Sequence, residues 1–324
     1  MFKIKNIEIH SPVILAPMAG YTSFGYRKFY EQFNPGLTYT EMISDMGLIY
    51  GNEETKEYLN FPQTNIPVAV QLFGSEPTNL AKAASIALSL NPFIEIFDVN
   101  MACPVPKVTK GGAGSALLKN PKKCGDIIKA IKETTGKAVT AKIRLGWDHK
   151  SINYLEVVKE LEKAGCDAVA IHCRTAKDLY LGIPDFNIIK DLKKVMKIPL
   201  IVSGNIYSIE DAENALNITH ADGVMVARGG IGNPYLLKQI NYYLENKEKL
   251  DNPSKEEQVK YCLDLAKSLI EEKGEEKAMR IYRSMAPRFL SGTINCKSYR
   301  NRLAMDLYTY NDLENILNDY LRGN

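Results

Sequence analysis

The stretch Asp98-Val-Asn-Met-Ala-Cys-Pro104 ends one of eight short apolar runs in this 324-residue chain. Each run has the length and composition of a buried β-strand, and most of the intervals leave room for a helix. The runs cover residues 13–19, 39–44, 68–73, 97–102, 138–145, 168–173, 199–204 and 223–228. Eight near-continuous apolar strands that alternate with helices predict a closed parallel (β/α)8 barrel, or TIM barrel. A doubly wound open sheet is the competing topology.

The alternation stops after about residue 240. Residues 254–273, 275–285 and 311–321 have helical patterns with no strand between them. Pro253 and the polar stretch 245–252 before it indicate a linker. We therefore predict a catalytic α/β barrel over residues 1–240 and an all-helical domain over residues 250–324.

Composition restricts the class of protein. A hydrophobic content of 45% supports a large core, whereas the net charge of +3 says little. No apolar run approaches the roughly 20 residues that span a bilayer. Six cysteines without a C-x-x-C pair, and no apolar leader, favour a reducing compartment without disulfides or a metal site. We expect a soluble cytoplasmic protein, by default a monomer.

Polar side chains follow the apolar strands from the third strand onward. They are Gln71 at the third, Asn100 and Cys103 at the fourth, Lys142 and Arg144 at the fifth, His172 and Arg174 at the sixth, Ser203-Gly204-Asn205 at the seventh and Arg228-Gly229-Gly230 at the eighth. A single polar residue at a strand end is often only a turn residue. Six consecutive strand ends of this kind predict a site at the carboxyl face of the barrel.

The last two of these loops predict an anionic cofactor. Glycines after the seventh and eighth strands free backbone N–H groups, and Arg228 can bind a phosphate in bidentate fashion. Asn233-Pro234 caps a helix whose positive end would face the anion. The loop over residues 111–114 lacks the Walker lysine spacing, and we interpret it as a flexible lid after Cys103.

Residues 277–302 form a basic segment that contains no Asp or Glu. Residues 241–324 as a whole balance at fourteen basic against fourteen acidic side chains, so the excess is local. Tyr282, Phe289 and Tyr299 are interleaved with the cations, a pattern typical of RNA phosphate contacts beside aromatic platforms. A solvated basic face would look similar. The cations are Lys277, Arg280, Arg283, Arg288, Lys297, Arg300 and Arg302.

With these motifs the chain resembles the tRNA-dihydrouridine synthases, most closely their bacterial B-type branch, over essentially its whole length. The matching motifs are Ala16-Pro-Met-Ala-Gly20, Thr40-Glu-Met42, Gln71-Leu-Phe-Gly74, Asp98-Val-Asn-Met-Ala-Cys-Pro104, Pro106-Lys-Val-Thr-Lys-Gly-Gly112, Lys142-Ile-Arg144 and Ile171-His-Cys-Arg-Thr175. The resemblance implies an FMN-containing barrel with a helical RNA-binding domain. Such an enzyme reduces the C5–C6 double bond of selected uridines in tRNA, with a D-loop uridine as the expected target, using electrons from NADPH or NADH.

The resemblance also implies roles for individual residues. Pro17, Met18 and Ala19 would line the flavin, Gln71 would bond its ring, Lys142 and His172 would lie near its polar edge, and Ser203, Gly204, Asn205, Ala227 and Arg228 would hold its phosphate. Asn100, Arg174 and the seven cations of the basic segment would bind the RNA substrate. Four positions depart from the family pattern: Ser203 and Asn205 in Ser203-Gly204-Asn205, which replaces Asn-Gly-Asp, and Ala227 and Ala102, each of which replaces a glycine.

The chemistry of uracil reduction favours Cys103 as the catalytic acid. The reaction needs a hydride at C6 and a proton at C5, and a flavin supplies only the hydride. An ordinary thiol is mostly protonated at neutral pH, so Cys103 can donate the proton. Lys142 places a cation where negative charge gathers on a reduced flavin.

Two other functions compete with this interpretation. An FMN barrel that acts on a small molecule, such as a dihydroorotate dehydrogenase or an ene-reductase, would share the fold but would not need the basic segment. An RNA-binding protein with an inactive barrel would not need Cys103, Lys142 and His172.

Overall fold

The computed structural model describes residues 1–292 and 296–323. Their strands are β1 Phe2–Ile4, β2 Ile7–Ile9, β3 Val13–Leu15, β4 Thr38–Tyr39, β5 Ile43–Ser44, β6 Val68–Phe73, β7 Ile96–Met101, β8 Ala138–Arg144, β9 Ala168–His172, β10 Leu200–Ser203 and β11 Gly223–Val226. The main sheet runs β3-β11-β10-β9-β8-β7-β6-β4, and all its pairings are parallel. It closes where the Leu15 N–H donates to the Leu37 carbonyl at 3.0 Å. The predicted TIM barrel is therefore confirmed, and the open sheet is excluded.

The second barrel strand differs from its prediction. Residues 39–44 were expected to be one strand, but β4 and β5 are separate and both pair with β6. The chain turns between them, and the Glu41 carboxylate there accepts a hydrogen bond from the Gly20 N–H at 2.5 Å. This contact ties the second strand to the loop that follows β3.

An antiparallel hairpin of β1 and β2 precedes the barrel, and the sequence did not predict it. Its strands have three residues each, too short to show an alternating pattern. Ile4 and Ile9 of the hairpin are fully buried beside the inward-facing Ile14 and Met225. The hairpin therefore closes the barrel at the end opposite the predicted site.

Helices cover the barrel and form the rest of the described chain. They are α1 Phe24–Tyr30, α2 Asp45–Ile49, α3 Glu53–Glu57, α4 Pro77–Leu90, α5 Pro106–Thr109, α6 Pro121–Thr135, α7 Tyr154–Lys163, α8 Leu192–Val195, α9 Ile209–Thr219, α10 Tyr235–Asn246, α11 Lys255–Lys273, α12 Glu275–Tyr282, α13 Ala286–Phe289, α14 Lys297–Met305 and α15 Tyr310–Arg322. Short 3-10 helices cover Glu31–Phe33, Gly114–Lys119 and Phe186–Ile189. Within the described ranges, no helix has both the length and the apolar character needed to cross a membrane.

The C-terminal helices pack directly on the barrel through α11 and α1. A Cβ on Gly25 would lie 2.5 Å from the Ser268 carbonyl oxygen, so only glycine permits this approach. Glu272 of α11 accepts hydrogen bonds at the start of α1, from the Ser23 hydroxyl at 2.6 Å and the Gly25 N–H at 2.9 Å. One hydrophobic core therefore runs through both parts of the chain.

The predicted boundary at residue 240 falls inside α10, which continues to Asn246. Ser254 then caps α11 in a capping box with Glu257. Residues 293–295 and 324 of the predicted helical domain lie outside the described residues.

Candidate active site

A cavity of about 350 Å³ opens at the carboxyl ends of the barrel strands. It brings together most of the residues predicted for the site: Pro17, Met18, Ala19, Gln71, Asn100, Cys103, Lys142, His172, Ser203, Gly204, Asn205, Ala227 and Arg228. Arg288 of the basic segment also lines it. Arg174 does not, although it lies directly beside the cavity wall.

A chain of hydrogen bonds runs from the barrel interior to Cys103. Gln71 donates its amide N–H to a carboxylate oxygen of Asp98 at 2.7 Å and accepts from the Asn100 amide at 2.8 Å. The Asn100 carbonyl then accepts from the backbone N–H groups of Ala102 and Cys103, at 3.1 and 2.8 Å. A carboxylate can only accept, so Asp98 sets the orientation of each amide in turn and positions the Cys103 backbone.

Asp98 is fully buried and binds Thr140 through its second oxygen at 2.6 Å. Burial raises its pKa to about 6, although the Thr140 and Gln71 hydrogen bonds and the Lys142 charge oppose the shift. The sequence reasoning did not select Asp98. Its position as the one acidic residue of the buried strand β7 was the available signal.

Among the six free cysteines, Cys103 is the one that is not buried. It follows β7 and lines the cavity, and its carbonyl accepts from the Ser115 N–H at 3.0 Å. That bond closes the loop that carries α5 and the glycines at 111–114. The loop therefore begins at the thiol and returns beside it.

Lys142 extends from β8 into the cavity and is half-buried. Its ammonium makes no hydrogen bond or ion pair with any residue that the structure describes. Burial lowers its pKa to about 8, and repulsion from Arg144 acts in the same direction. A partly buried cation without a protein partner favours an anionic or electron-rich ligand in this cavity.

His172 is held by Arg174, whose guanidinium lies 3.1 Å from the His172 Nε2. Arginine can only donate, so Nε2 is the acceptor and the ring proton lies on Nδ1. Burial lowers the pKa of His172 well below its usual value, and the charges of Lys142, Arg144, Arg174 and Arg228 add to the shift. The imidazole is therefore neutral, with an Nδ1–H that donates to no described protein group.

Arg174 is buried, and its guanidinium makes four contacts with other protein groups. Besides His172 it binds the carbonyls of Leu181 and Gly182, at 2.9 and 2.6 Å, and the Asn205 side chain at 3.1 Å. It therefore orients the wall of the cavity. Its predicted contact with the substrate stays a prediction.

Arg144 is the main residue of the site to which the sequence reasoning gave no role. It is buried, and it donates to the carbonyls of Ala102 at 2.9 Å and of Thr175 and Leu179 at 2.7 Å each. It thereby joins the segment of Cys103 to the loop after β9. The ring of Tyr180 from that loop lies 5.5 Å from its guanidinium carbon.

The loops after β10 and β11 form a cradle of backbone N–H groups. Within the described residues, the N–H groups of Gly204, Asn205, Arg228 and Gly229 donate to no protein acceptor. A Cβ on Gly229 would lie 2.0 Å from the Ile206 carbonyl oxygen, so glycine allows the two loops to meet. Such N–H clusters bind phosphate.

The cations of the basic segment do not share one environment. Lys277 and Arg280 line a second cavity of about 510 Å³, which shares Tyr21 with the first. Lys277 pairs with Glu57 at 3.4 Å, whereas Arg280 has no ion pair with a described residue. The remaining predicted cations are Arg283, which binds the Leu307 carbonyl, Arg302, which pairs with Asp319, and Lys297 and Arg300, which are exposed on α14.

Titratable side chains in the described part of the chain include no group of three or more His, Cys, Asp or Glu residues arranged to bind a metal ion. The lining of the cavity includes one thiol, three side-chain amides, the neutral imidazole of His172, one lysine, three arginines and the cradle of backbone N–H groups.

Comparisons with known proteins agree with this arrangement. The dihydrouridine synthase family model matches residues 14–322. A probable tRNA-dihydrouridine synthase from Rickettsia bellii is 35% identical over 301 residues, which cover 93% of this chain and 92% of that protein. The tRNA-dihydrouridine synthase B of Pasteurella multocida is 35% identical over 290 residues, covering 90% of this chain and 87% of that protein. Among solved structures, morphinone reductase aligns with a TM-score of 0.53 and 13% identity, over 78% of this chain and 90% of that chain, which shows the fold alone.

Proposed function

Because this chain belongs to the dihydrouridine synthase family, we propose that it reduces the C5–C6 double bond of uridines in tRNA, with FMN as cofactor and NADPH or NADH as reductant. The observation that carries the proposal is a single cavity that joins the Cys103 thiol, the unpartnered Lys142 cation and the N–H cradle. Morphinone reductase shares only its fold with this chain. It therefore does not support the alternative function, a reductase that acts on a small molecule.

The residues of the cavity fit FMN. The four free N–H groups and Arg228 would hold its phosphate, and Gly229 lets the two loops that carry these groups approach each other. Pro17, Met18 and Ala19 line the other part of the cavity, with Gln71, Lys142 and His172 as its polar groups. When bound, the cofactor supplies the two-electron reduction of the double bond.

The protein groups would bind uracil and deliver a proton. Cys103 carries the accessible thiol of the cavity, and its proton would go to C5 of the base. Lys142 and the Nδ1–H of His172 are unpartnered donors that can stabilise negative charge on oxygen. Asn100 holds the Cys103 backbone in place through its carbonyl.

The RNA would approach over the helical part, residues 250–324, which we propose as the RNA-binding domain. Lys277 and Arg280 lie beside the mouth of the barrel, and Arg288 reaches into the cavity itself. Cations so placed would contact the phosphates that flank a uridine in the cavity, and counterion release would make binding salt-dependent.

A direct test uses the purified protein. We expect a bound yellow chromophore, and we expect dihydrouridine in unmodified tRNA transcripts incubated with NADPH, detected by mass spectrometry. Cys103→Ala should retain the chromophore and its reduction by NADPH but form little product. A matched control is Cys173→Ala, because Cys173 is buried and does not line the cavity.

A wild-type protein that binds no flavin, or that forms no dihydrouridine in any tRNA transcript, would overturn the proposal. Full product formation by Cys103→Ala would overturn only the role of the thiol in the proton transfer.

A further inference from the structure

The loop after β9 exposes a cluster of large apolar side chains beside the cavity. Ile183 is 89% exposed, Leu181 74%, Tyr180 53% and Leu179 45%. We call residues 179–183 the apolar tip. Exposed apolar clusters on soluble domains usually mark contact surfaces. Tyr180 also lines the catalytic cavity, so the tip is continuous with the site.

Two buried arginines hold the backbone of the apolar tip. Arg144 donates to the Leu179 carbonyl at 2.7 Å. Arg174 donates to the Leu181 carbonyl at 2.9 Å and to the Gly182 carbonyl at 2.6 Å. Three of the five carbonyls of the tip are therefore fixed from inside the protein, while the side chains point away from the core.

The ends of the loop are also tied down. Asp178 accepts from the N–H and the hydroxyl of Thr175 at 2.8 Å each, and the Asp185 N–H donates to the Cys173 carbonyl at 3.1 Å. Leu179 adopts a left-handed φ of +52°, a conformation that bulky residues rarely take and that surrounding contacts must impose. The apolar tip is thus a preorganised protrusion, and little conformational entropy is lost when it binds.

Resting on the proposed function, we propose that Leu181 and Ile183 form a wedge that enters the base stack of the RNA beside the target uridine. A uridine must leave its stack to reach the cavity, and unstacking costs a few kcal/mol. Apolar side chains inserted between bases replace the lost contacts. The exposed Lys177, two residues before the tip, places positive charge beside it for a flanking phosphate.

The size of the tip favours RNA over a second protein chain. Stable protein–protein interfaces bury roughly 1,200–2,000 Å² in total. Two protruding aliphatic side chains supply only a small part of that area, but they match the thickness of a gap in a base stack.

The test compares Leu181→Asn/Ile183→Asn with the matched control Leu90→Asn/Phe93→Asn. The control pair is 46% and 52% exposed, lies at the end of α4 and in the turn after it, and does not line the catalytic cavity. The target uridine is first mapped with wild-type enzyme. Two transcripts are then assayed: an intact tRNA, and the same tRNA with the base next to the target removed so that no stack has to be opened.

We expect the tip variant to lose about tenfold or more in kcat/KM on the intact tRNA, and about twofold or less on the transcript with the abasic neighbour. The control variant should match wild type on both. With 2-aminopurine beside the target, wild-type protein should increase the fluorescence on binding, and the tip variant should not.

Equal losses on both transcripts, or no loss on either, would overturn the wedge. A wild-type dimer that the tip variant converts to a monomer, measured by light scattering, would assign the tip to a protein interface and also overturn it. If wild-type enzyme forms no dihydrouridine in any transcript, the proposed function itself fails, and the wedge fails with it.

Discussion

Asp98→Ala should separate the stability of the protein from its catalysis. The carboxylate only accepts, and it thereby orients Gln71 and Asn100 toward the Cys103 backbone. An alanine leaves the Gln71 NH2 without this acceptor, whereas an asparagine could replace the carboxylate by facing its carbonyl to Gln71 and its NH2 to the Thr140 hydroxyl. With alanine, Gln71 and Asn100 are held only from the Cys103 end of the chain of hydrogen bonds.

The effects on stability oppose each other. The pKa of Asp98 is about 6 in the folded protein against an ordinary value of 3.8. The ionised carboxylate therefore lowers the free energy of unfolding by about 3 kcal/mol. Because the pKa is higher in the folded state, this destabilisation is absent below pH 3.8, grows as pH rises to 6, and is complete above pH 6. Alanine removes this destabilisation but leaves the Gln71 and Thr140 donors unsatisfied, at about 1–3 kcal/mol each. We expect the free energy of unfolding at pH 8 to change by less than about 2 kcal/mol.

Catalysis should respond much more strongly, because the loop of Cys103 loses its anchor. We expect dihydrouridine formation to fall by about ten- to hundredfold, while flavin reduction by NADPH stays within a few-fold. Thr140→Val is the matched control. It removes the 2.6 Å hydrogen bond to the other Asp98 oxygen and leaves Gln71 oriented, so stability should fall by about 1–2 kcal/mol with nearly normal product formation.

The assays are denaturant unfolding from pH 4 to pH 8 and single-turnover product formation. Wild-type product formation by Asp98→Ala would refute the role of the hydrogen-bond chain. Equal activity losses in Asp98→Ala and Thr140→Val would show that general loosening of the barrel, and not the orientation of the amides, is responsible.

Three further predictions concern the cavity and the basic segment. Gly229→Ala should weaken FMN binding at least about tenfold, measured by fluorescence titration. Its Cβ would lie 2.0 Å from the Ile206 oxygen and would push apart the two loops that carry the free N–H groups. Unchanged affinity would contradict the proposal that these N–H groups bind the phosphate. Lys142→Met should slow the reaction, because it removes the cation of the cavity, and should raise Tm at pH 7, because burial of the charged lysine destabilises the fold and lowers its pKa to about 8. The gain in stability should be complete below pH 8 and vanish as pH approaches 10.5. A gain that does not depend on pH would indicate better packing of methionine instead. Arg280→Gln should weaken tRNA binding a few-fold and reduce the slope of log K against log salt by about 1. Arg302→Gln, which removes a cation already paired with Asp319, should weaken tRNA binding less. A larger loss of affinity for Arg302→Gln than for Arg280→Gln in filter binding would contradict the placement of the RNA.

Much of this protein could be predicted from local pattern. The eight barrel strands could be located because each lies in a run of apolar residues. Helix α6 could be placed at Pro121–Thr135 because an Asn-Pro start and a terminal glycine mark its ends. The strand-end residues were found because parallel barrel strands deliver their carboxyl ends to one face. Local pattern missed the hairpin of β1 and β2 and the break between β4 and β5, because short strands carry too few residues for a periodic signal.

The sequence by itself determined the barrel and the face on which the cavity lies, and it predicted the thiol, cation and cradle residues, because each depends on the order of residues along one strand or loop. Only the tertiary structure decided which arginines are held by backbone carbonyls of other loops. Arg144 and Arg174 are bonded to backbone carbonyls up to 42 residues away, whereas Arg280 is left without an ion pair among the described residues. Hydrogen-bond acceptors for a guanidinium come from whichever loops the fold brings within about 3 Å, and that proximity is not encoded in any local stretch of chain.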